Sequence, residues 1–392
     1  MLIMSEHPLA HAEPRARRAF GENAAMKLAT YKDGSRDGQL VVVSRDLALA
    51  QYATHIANRL QQVLDDWNYL APQLQDVYDA LNAGRGRHAF PFDPAQCMAP
   101  LPRAYQRVQA AAYAPHTAGI GAGTQDGTPT SDGLSLGGAS EPVPRIVHHS
   151  GDAFLGPQDP IVCTSEVAGV DFGAGLAVVT GDIAAGCSAD HALQGVRLLL
   201  LSNELSLSDT PADPDAASAG VAPNAVPRTV PDMLAVAFGP VAVTPDELGV
   251  AWNRGRVQLA LECAWNGRTV GRCDAGSDME FHFGQLLAHL ASVRPVQAGS
   301  IVGTGPVRNR GQEKNGRLHW PKGYSCIADK RAMETLLDGQ PSTPFLRVAD
   351  RISVDMKTEQ GGSVFGAIDH VLVAAPAAAV GRRRVGVQAL AT

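Results

Sequence analysis

Over residues 151–194 and again over 240–370 the chain alternates short apolar runs with turn residues, as in AVVTGDI, VQLALECAWNGRTVG, RISVDMK and SVFGAIDH. Runs this short, bounded by glycine and polar residues, read as β-strands joined by tight turns, because helices need longer periodic segments. Composition agrees: 40 Gly and 26 Pro in 392 residues supply many turns and leave little room for long helices. The pattern predicts an α+β, β-rich fold. The clear amphipathic helix in this part is 283–293, with Leu286, Leu287 and Leu290 on one face.

Residues 26–46 read as a hairpin, with KLATY and QLVVVS on either side of a turn from Asp33-Gly34 to Asp37-Gly38. Over 48–81 apolar residues recur at three- and four-residue spacing, among them Leu60, Leu64, Trp67, Leu74 and Leu81, which predicts one helical stretch stopped by Gly84. The hairpin and helix make a small α/β N-terminal domain over 26–100, and 101–373 form the main β-rich domain. Residues 117–144 and 209–227, dominated by Gly, Ala, Ser, Thr, Asp and Pro, cannot bury enough apolar surface to order themselves and are expected to be mobile loops. Residues 1–25 are expected to be a disordered leader. Residues 374–392 are expected to be a disordered tail, with Arg382-Arg383-Arg384 a solvated cluster.

The net charge of -6 comes without a basic stripe or interleaved aromatics, so nucleic acid is not an expected partner. No apolar run approaches the roughly 18 residues of a membrane span, and the first 25 residues lack the core of a signal peptide. A cytoplasmic protein with no membrane contact is expected. The six cysteines are scattered without a CxxC pair and read as free thiols.

Six colinear stretches carry a family resemblance. The first three are Pro102-Arg103-Ala104-Tyr105-Gln106, Gly151-Asp152-Ala153-Phe154-Leu155-Gly156-Pro157, and Val170-Asp171-Phe172 running into Leu176-Ala177-Val178-Val179-Thr180-Gly181-Asp182. The others begin at Phe238-Gly239-Pro240-Val241, Ala298-Gly299-Ser300-Ile301 and Gly323-Tyr324-Ser325-Cys326. Over 26–370 the chain resembles the fumarylacetoacetate hydrolase family. That resemblance implies a mixed β-sandwich roll with a small N-terminal domain, and a homodimer. It also implies a magnesium or calcium ion on four carboxylates, acting as Lewis acid for C–C cleavage of a diketo-type substrate.

The chain departs from that pattern at the ion. Where the family has Asp-Phe-Glu-x-Glu, this chain has Asp171-Phe172-Gly173-Ala174-Gly175; a third ligand position is Gln109, and the fourth is Glu204. The resemblance places the family's substrate-binding arginine on Ser208 and its active-site lysine near Met233, so the charge that neutralises an anionic substrate is expected to be missing. It places the general-base histidine on His116 and its acidic partner on Asp329, whose commoner role would be to cap the helix that follows it. His148 and His149, adjacent on an extended segment, point to opposite faces and read as a pair without function. Gly173 and Gly175 either leave an empty pocket floor or let a ligand approach the backbone.

The site expected from these positions has His116, Asp329 and Glu204 as catalytic residues and Gln109, Tyr113, Gly173, Gly175 and Ser208 as substrate-binding residues, with no metal and no cofactor. The leading functional expectation is a repurposed, metal-independent enzyme acting on a small keto-acid or enol-type metabolite by proton transfer. The alternatives are a non-catalytic pseudoenzyme that binds a ligand or a family partner, and a weak metal-dependent hydrolase.

Overall fold

The computed structural model describes residues 25–114, 143–163, 169–207 and 233–376. The expected leader, long loops and tail lie outside these residues except at their edges, and so do His116 and Ser208. The hairpin forms as expected: β1 (Lys27–Tyr31) and β2 (Gln39–Val43) pair antiparallel from Lys27↔Val43 to Tyr31↔Gln39. The single helix expected over 48–81 does not. Its first residues are β3 (Leu49–Tyr52), which continues the hairpin by pairing with Val41–Val43, and helix begins only at α1 (Leu60–Asp65), followed by α2 (Trp67–Asn82). Ladder bonds and burial of Ala50 outweigh the helical spacing there.

The chain continues through β4 (Phe90–Pro91), β5 (Arg107–Ala110), β6 (Ile146–His149), β7 (Ile161–Cys163), β8 (Val170–Thr180), α3 (Ala189–Leu193), β9 (Val196–Leu207), β10 (Met233–Phe238) and β11 (Val241–Val243). After these come β12 (Trp252–Asn253), β13 (Arg256–Val257), β14 (Ala260–Trp265), β15 (Arg268–Asp274), α4 (Phe283–Leu290) and β16 (Ile301–Pro306). The last elements are β17 (Gln312–Lys314), β18 (Arg317–His319), α5 (Ile327–Asp338), β19 (Arg351–Met356) and β20 (Ile368–Ala374). Ala374, which the sequence reading put in the tail, closes β20 and extends its parallel pairing with β7 to Cys163.

An 11-stranded sheet runs β4-β3-β2-β1-β11-β9-β8-β16-β5-β6 with β10 added on β9, and a 5-stranded sheet runs β15-β14-β19-β20-β7. Strand alternation divides the core between the two faces of the large sheet. Leu28, Leu40, Val42, Val179, Leu198 and Leu200 pack with Leu60, Val63, Leu74 and Tyr78 of α1 and α2. Val41, Val43, Val178, Leu199 and Leu201 join Leu261, Cys263, Ile352, Val354 and Ile368 of the smaller sheet. The result is the sheet-rich α+β fold that the sequence pattern predicts. All six cysteines are free, and all but Cys187 are buried. Among the described residues no helix is long and apolar enough to cross a membrane.

Candidate functional site

Sheet order brings together the four positions singled out as family ion ligands. Gly173 on β8 lies directly opposite Glu204 on β9, and β16 separates β8 from β5, with Gly303 opposite Gln109. Glu204 is 5% exposed, and its nearest cationic partner comes from β5: Arg107 Nη2 donates to Glu204 Oε1 at 2.9 Å and, more weakly, to Gln109 Oε1 at 3.4 Å. Arg107 and Gln109 share a face because they alternate on one strand. A Cβ at Gly303 would lie 3.3 Å from Glu204 Oε1, so the bare backbone there clears the path along which the carboxylate meets the guanidinium. The pair therefore lies in a trough running under β16.

Of the two readings of Gly173 and Gly175, the described residues do not leave an empty pocket floor. A Cβ on Gly173 would lie 3.1 Å from Pro306 Cγ, and one on Gly175 would lie 2.3 Å from the Gly305 carbonyl oxygen. The pairing of β16 with β8 shifts register between Gly303 and Pro306, and Gly305 sits at φ +73°, where only glycine is at ease. This bulge presses the β16 backbone onto β8. The two glycines are an accommodation to that pressure rather than a cavity.

A divalent cation does not fit the described donor set. Two of the four positions have no side chain, a third offers an amide, and the one carboxylate already faces a guanidinium. Among the described residues no three His, Cys, Asp or Glu side chains come together in a metal-binding group. A divalent ion placed about 4 Å from the Arg107 charge would meet a repulsion of about 8 kcal/mol at an effective dielectric of 20. Burial pushes the Glu204 carboxyl above its ordinary value, and Arg107 offsets part of that effect. Glu204 Oε2 is buried without a hydrogen-bond partner among the described residues.

On the far side of Gln109 opens a cleft of about 330 Å³ whose polar lining includes Tyr113, Arg145, His149, Thr304 and Arg308, with no acidic residue among the described residues. The sequence reading expected positive charge to be missing. Arg145 and Arg308 supply it from positions unrelated to Ser208 and Met233. His149, read from sequence as functionless, faces this cleft from the edge strand β6, which pairs with β5. Tyr113 also lines it, but its hydroxyl donates away from the opening to the Ala275 carbonyl at 2.7 Å.

Arg308 is fixed by Asp329: its Nε donates to Oδ2 at 2.8 Å and to Oδ1 at 3.1 Å. Asp329 lies in the first turn of α5 and is not the helix cap. That role belongs to Asp171, whose two carboxylate oxygens accept from Ile327 N at 2.7 Å and Ala328 N at 2.8 Å. Burial nevertheless pushes the Asp171 carboxyl up to about 7, the backbone donors opposing it. Glu204, by contrast, lies beneath the cleft wall rather than in its lining. The larger opening, about 680 Å³ between α1 and residues 101–105, contains none of the expected site positions, and Arg59 and Arg103 within it are paired with Asp33 and Asp37.

Of the expected site residues, the fold thus unites Gln109, Gly173, Gly175 and Glu204 around the trough, and puts Tyr113 in the cleft and Asp329 behind it. Arg107, Arg145, Arg308 and Asp171 were not singled out as site residues by the sequence reading. For Arg107 a signal existed: an arginine two residues from Gln109 on a short apolar strand must share its face.

Comparison with known proteins identifies the family. Residues 131–372 match the fumarylacetoacetate (FAA) hydrolase C-terminal family, and residues 26–103 match fumarylacetoacetase N-terminal domain 2. The chain belongs to the fumarylacetoacetate hydrolase family. No curated protein sequence matches it. Among solved structures it is similar to a probable 2-hydroxyhepta-2,4-diene-1,7-dioate isomerase from Mycobacterium abscessus, at 16% identity and TM-score 0.57, covering 90% of this chain and 99% of the other. It is also similar to maleylpyruvate hydrolase from Sphingobium sp. SYK-6 in complex with manganese(II) ion and pyruvate, at 15% identity and TM-score 0.56, covering 90% and 100%. A third is fumarylacetoacetate hydrolase from psychrophilic Exiguobacterium antarcticum, at 15% identity and TM-score 0.55, again covering 90% and 100%. At these identities the likeness is one of fold.

Proposed function

We propose that this chain is a repurposed member of its family that binds a small keto-acid or enol-type metabolite in the cleft beside Gln109 and transforms it by proton transfer without a divalent ion. The observation that carries the reading is the cleft itself, whose lining carries Arg145 and Arg308 and, among the described residues, no acid. Such a lining suits a carboxylate or enolate oxygen, and Arg308, held in one orientation by Asp329, is preorganised to receive it. In this reading His116 moves the proton, while Asp329 serves chiefly to hold Arg308. The protein acts in the cytoplasm as a homodimer, which light scattering of the purified chain tests.

The decisive experiment screens small 2-oxo and enol carboxylates for binding and turnover, with a chelator present throughout, using the wild type, His116→Ala and Arg308→Ala. Turnover that survives chelation and falls in both variants is the expected result. A wild type that binds no member of the set sinks the reading. Binding without turnover supports the non-catalytic alternative, which the sealing of Glu204 beneath the cleft wall independently favours.

A further inference from the structure

We propose that Arg107 is a resident cation: its guanidinium fills the place between Glu204 and Gln109 that the family's acidic ligand set reserves for a divalent ion. The inference deepens the metal-free reading above, but it stands on the trough and not on any reaction. Three observations support it. The guanidinium contacts two of the four ligand positions at once, Glu204 Oε1 at 2.9 Å and Gln109 Oε1 at 3.4 Å. Its side chain is 3% exposed, so it is a built part of the interior rather than a surface arginine folded inward. The glycine at 303 leaves room for the Glu204 carboxylate to reach it, and the bulge at Gly305 closes the space that the other two acids would need.

A cation fixed by covalent attachment differs from a bound ion in what it offers. It cannot accept a substrate oxygen as a new ligand, because every guanidinium N–H is a donor with no vacant orbital. It presents instead a permanent positive charge and an anchored amide at the cleft floor. Arg107 is thus a positioning residue, acting through Gln109, which lines the cleft, and through Glu204, which does not.

The test is manganese binding, read from loss of the free-ion electron paramagnetic resonance signal at about 1 mM Mn²⁺, a concentration at which weak carboxylate sites fill. Wild type, Gln109→Glu and Arg107→Lys/Gln109→Glu are expected to leave the signal unchanged, because a cation still occupies the trough. Arg107→Gln/Gln109→Glu, with two acids facing a neutral trough, is expected to bind Mn²⁺ at least about tenfold more tightly, since one or two carboxylates plus water suffice for such ions. Circular dichroism establishes that each variant is folded. If the Arg107→Gln pair is not, Arg107→Met/Gln109→Glu takes its place. Depletion of Mn²⁺ by the wild type overturns the inference whatever the variants do, and so does a folded neutral-trough variant that binds no better than Gln109→Glu. A failed turnover screen leaves the manganese result unaffected, so the two readings fall separately.

Discussion

Replacing Gly175 by alanine should destabilise the protein, although the same change in an unobstructed strand would do the reverse. Adding a methyl to a strand glycine that has an ordinary backbone conformation restricts the unfolded chain and stabilises by roughly 0.4–1 kcal/mol. At Gly175 the new Cβ would lie 2.3 Å from the Gly305 carbonyl oxygen and 3.2 Å from Thr304 Oγ1. An ordinary carbon–oxygen contact is about 3.3 Å, so the carbonyl must retreat by about 1 Å. That motion strains two neighbouring backbone bonds, Val307 N to Ala174 O at 2.9 Å and Ala112 N to Thr304 O at 3.1 Å. Overpacking of about 1–3 kcal/mol and a weakened backbone bond of about 1 kcal/mol outweigh the entropic gain, leaving a net loss of about 1–3.5 kcal/mol. Gly173→Ala meets the Pro306 ring and the Glu204 carbonyl at 3.1 and 3.2 Å, an interference that a few tenths of an ångström relieve, and it should cost about 1 kcal/mol or less. Urea denaturation followed by tryptophan fluorescence separates the two. A Gly175→Ala protein as stable as the wild type, or more so, would show that the β16 bulge does not bear on β8 as described.

Three further outcomes follow from the site. Arg107→Met leaves Glu204 buried and unpaired and should destabilise by about 3–5 kcal/mol, whereas Arg107→Met/Glu204→Leu should recover most of that loss; a double variant as weak as the single one in urea melts would refute the ion-pair account. Because burial raises the Asp171 carboxyl from 3.8 to about 7, the folded state holds this proton more tightly than the unfolded one. Its contribution is therefore fully present below about pH 4 and is lost as pH rises towards 7, by at most about 4 kcal/mol. Asp171→Asn should flatten that part of the stability–pH curve, and a curve of unchanged slope over this interval would count against it. Arg308→Ala should weaken binding of small carboxylates by about 2 kcal/mol, while Arg308→Lys, which cannot reproduce the planar fork, should restore only part of it; calorimetric titration decides.

Much of the fold was legible because the signals were local. The KLATY and QLVVVS hairpin, the helix around Leu286 and Leu290 and the strand after Asp171 all carry their own periodicity. Where residues 48–52 misled, the helical spacing was real, but a neighbouring strand edge claimed the backbone. The four ligand positions could be located by resemblance, yet their contents could not be interpreted. Glycine at 173 and 175 reads in a sequence as an empty pocket floor or a close ligand approach, and only the path of β16 shows that backbone fills the space. Arg107 stands 97 residues from Glu204, on strands that are not consecutive in the sheet, so no local rule could join them. The cationic lining of the cleft was hidden for the same reason, since Arg145 and Arg308 meet only after β16 pairs parallel with β5.

The hairpin at the start of the described chain also shapes how this protein can be dissected. Lys27, Leu28 and Ala29 are paired with Val243, Ala242 and Val241, so the segment matching the N-terminal family is stitched into the sheet that carries the site. A recombinant version beginning near residue 104 would look like a clean excision on a gene map. It would in fact strip the partner strand from one edge of Val241–Val243 along an apolar rim, an invitation to pair with another chain and aggregate.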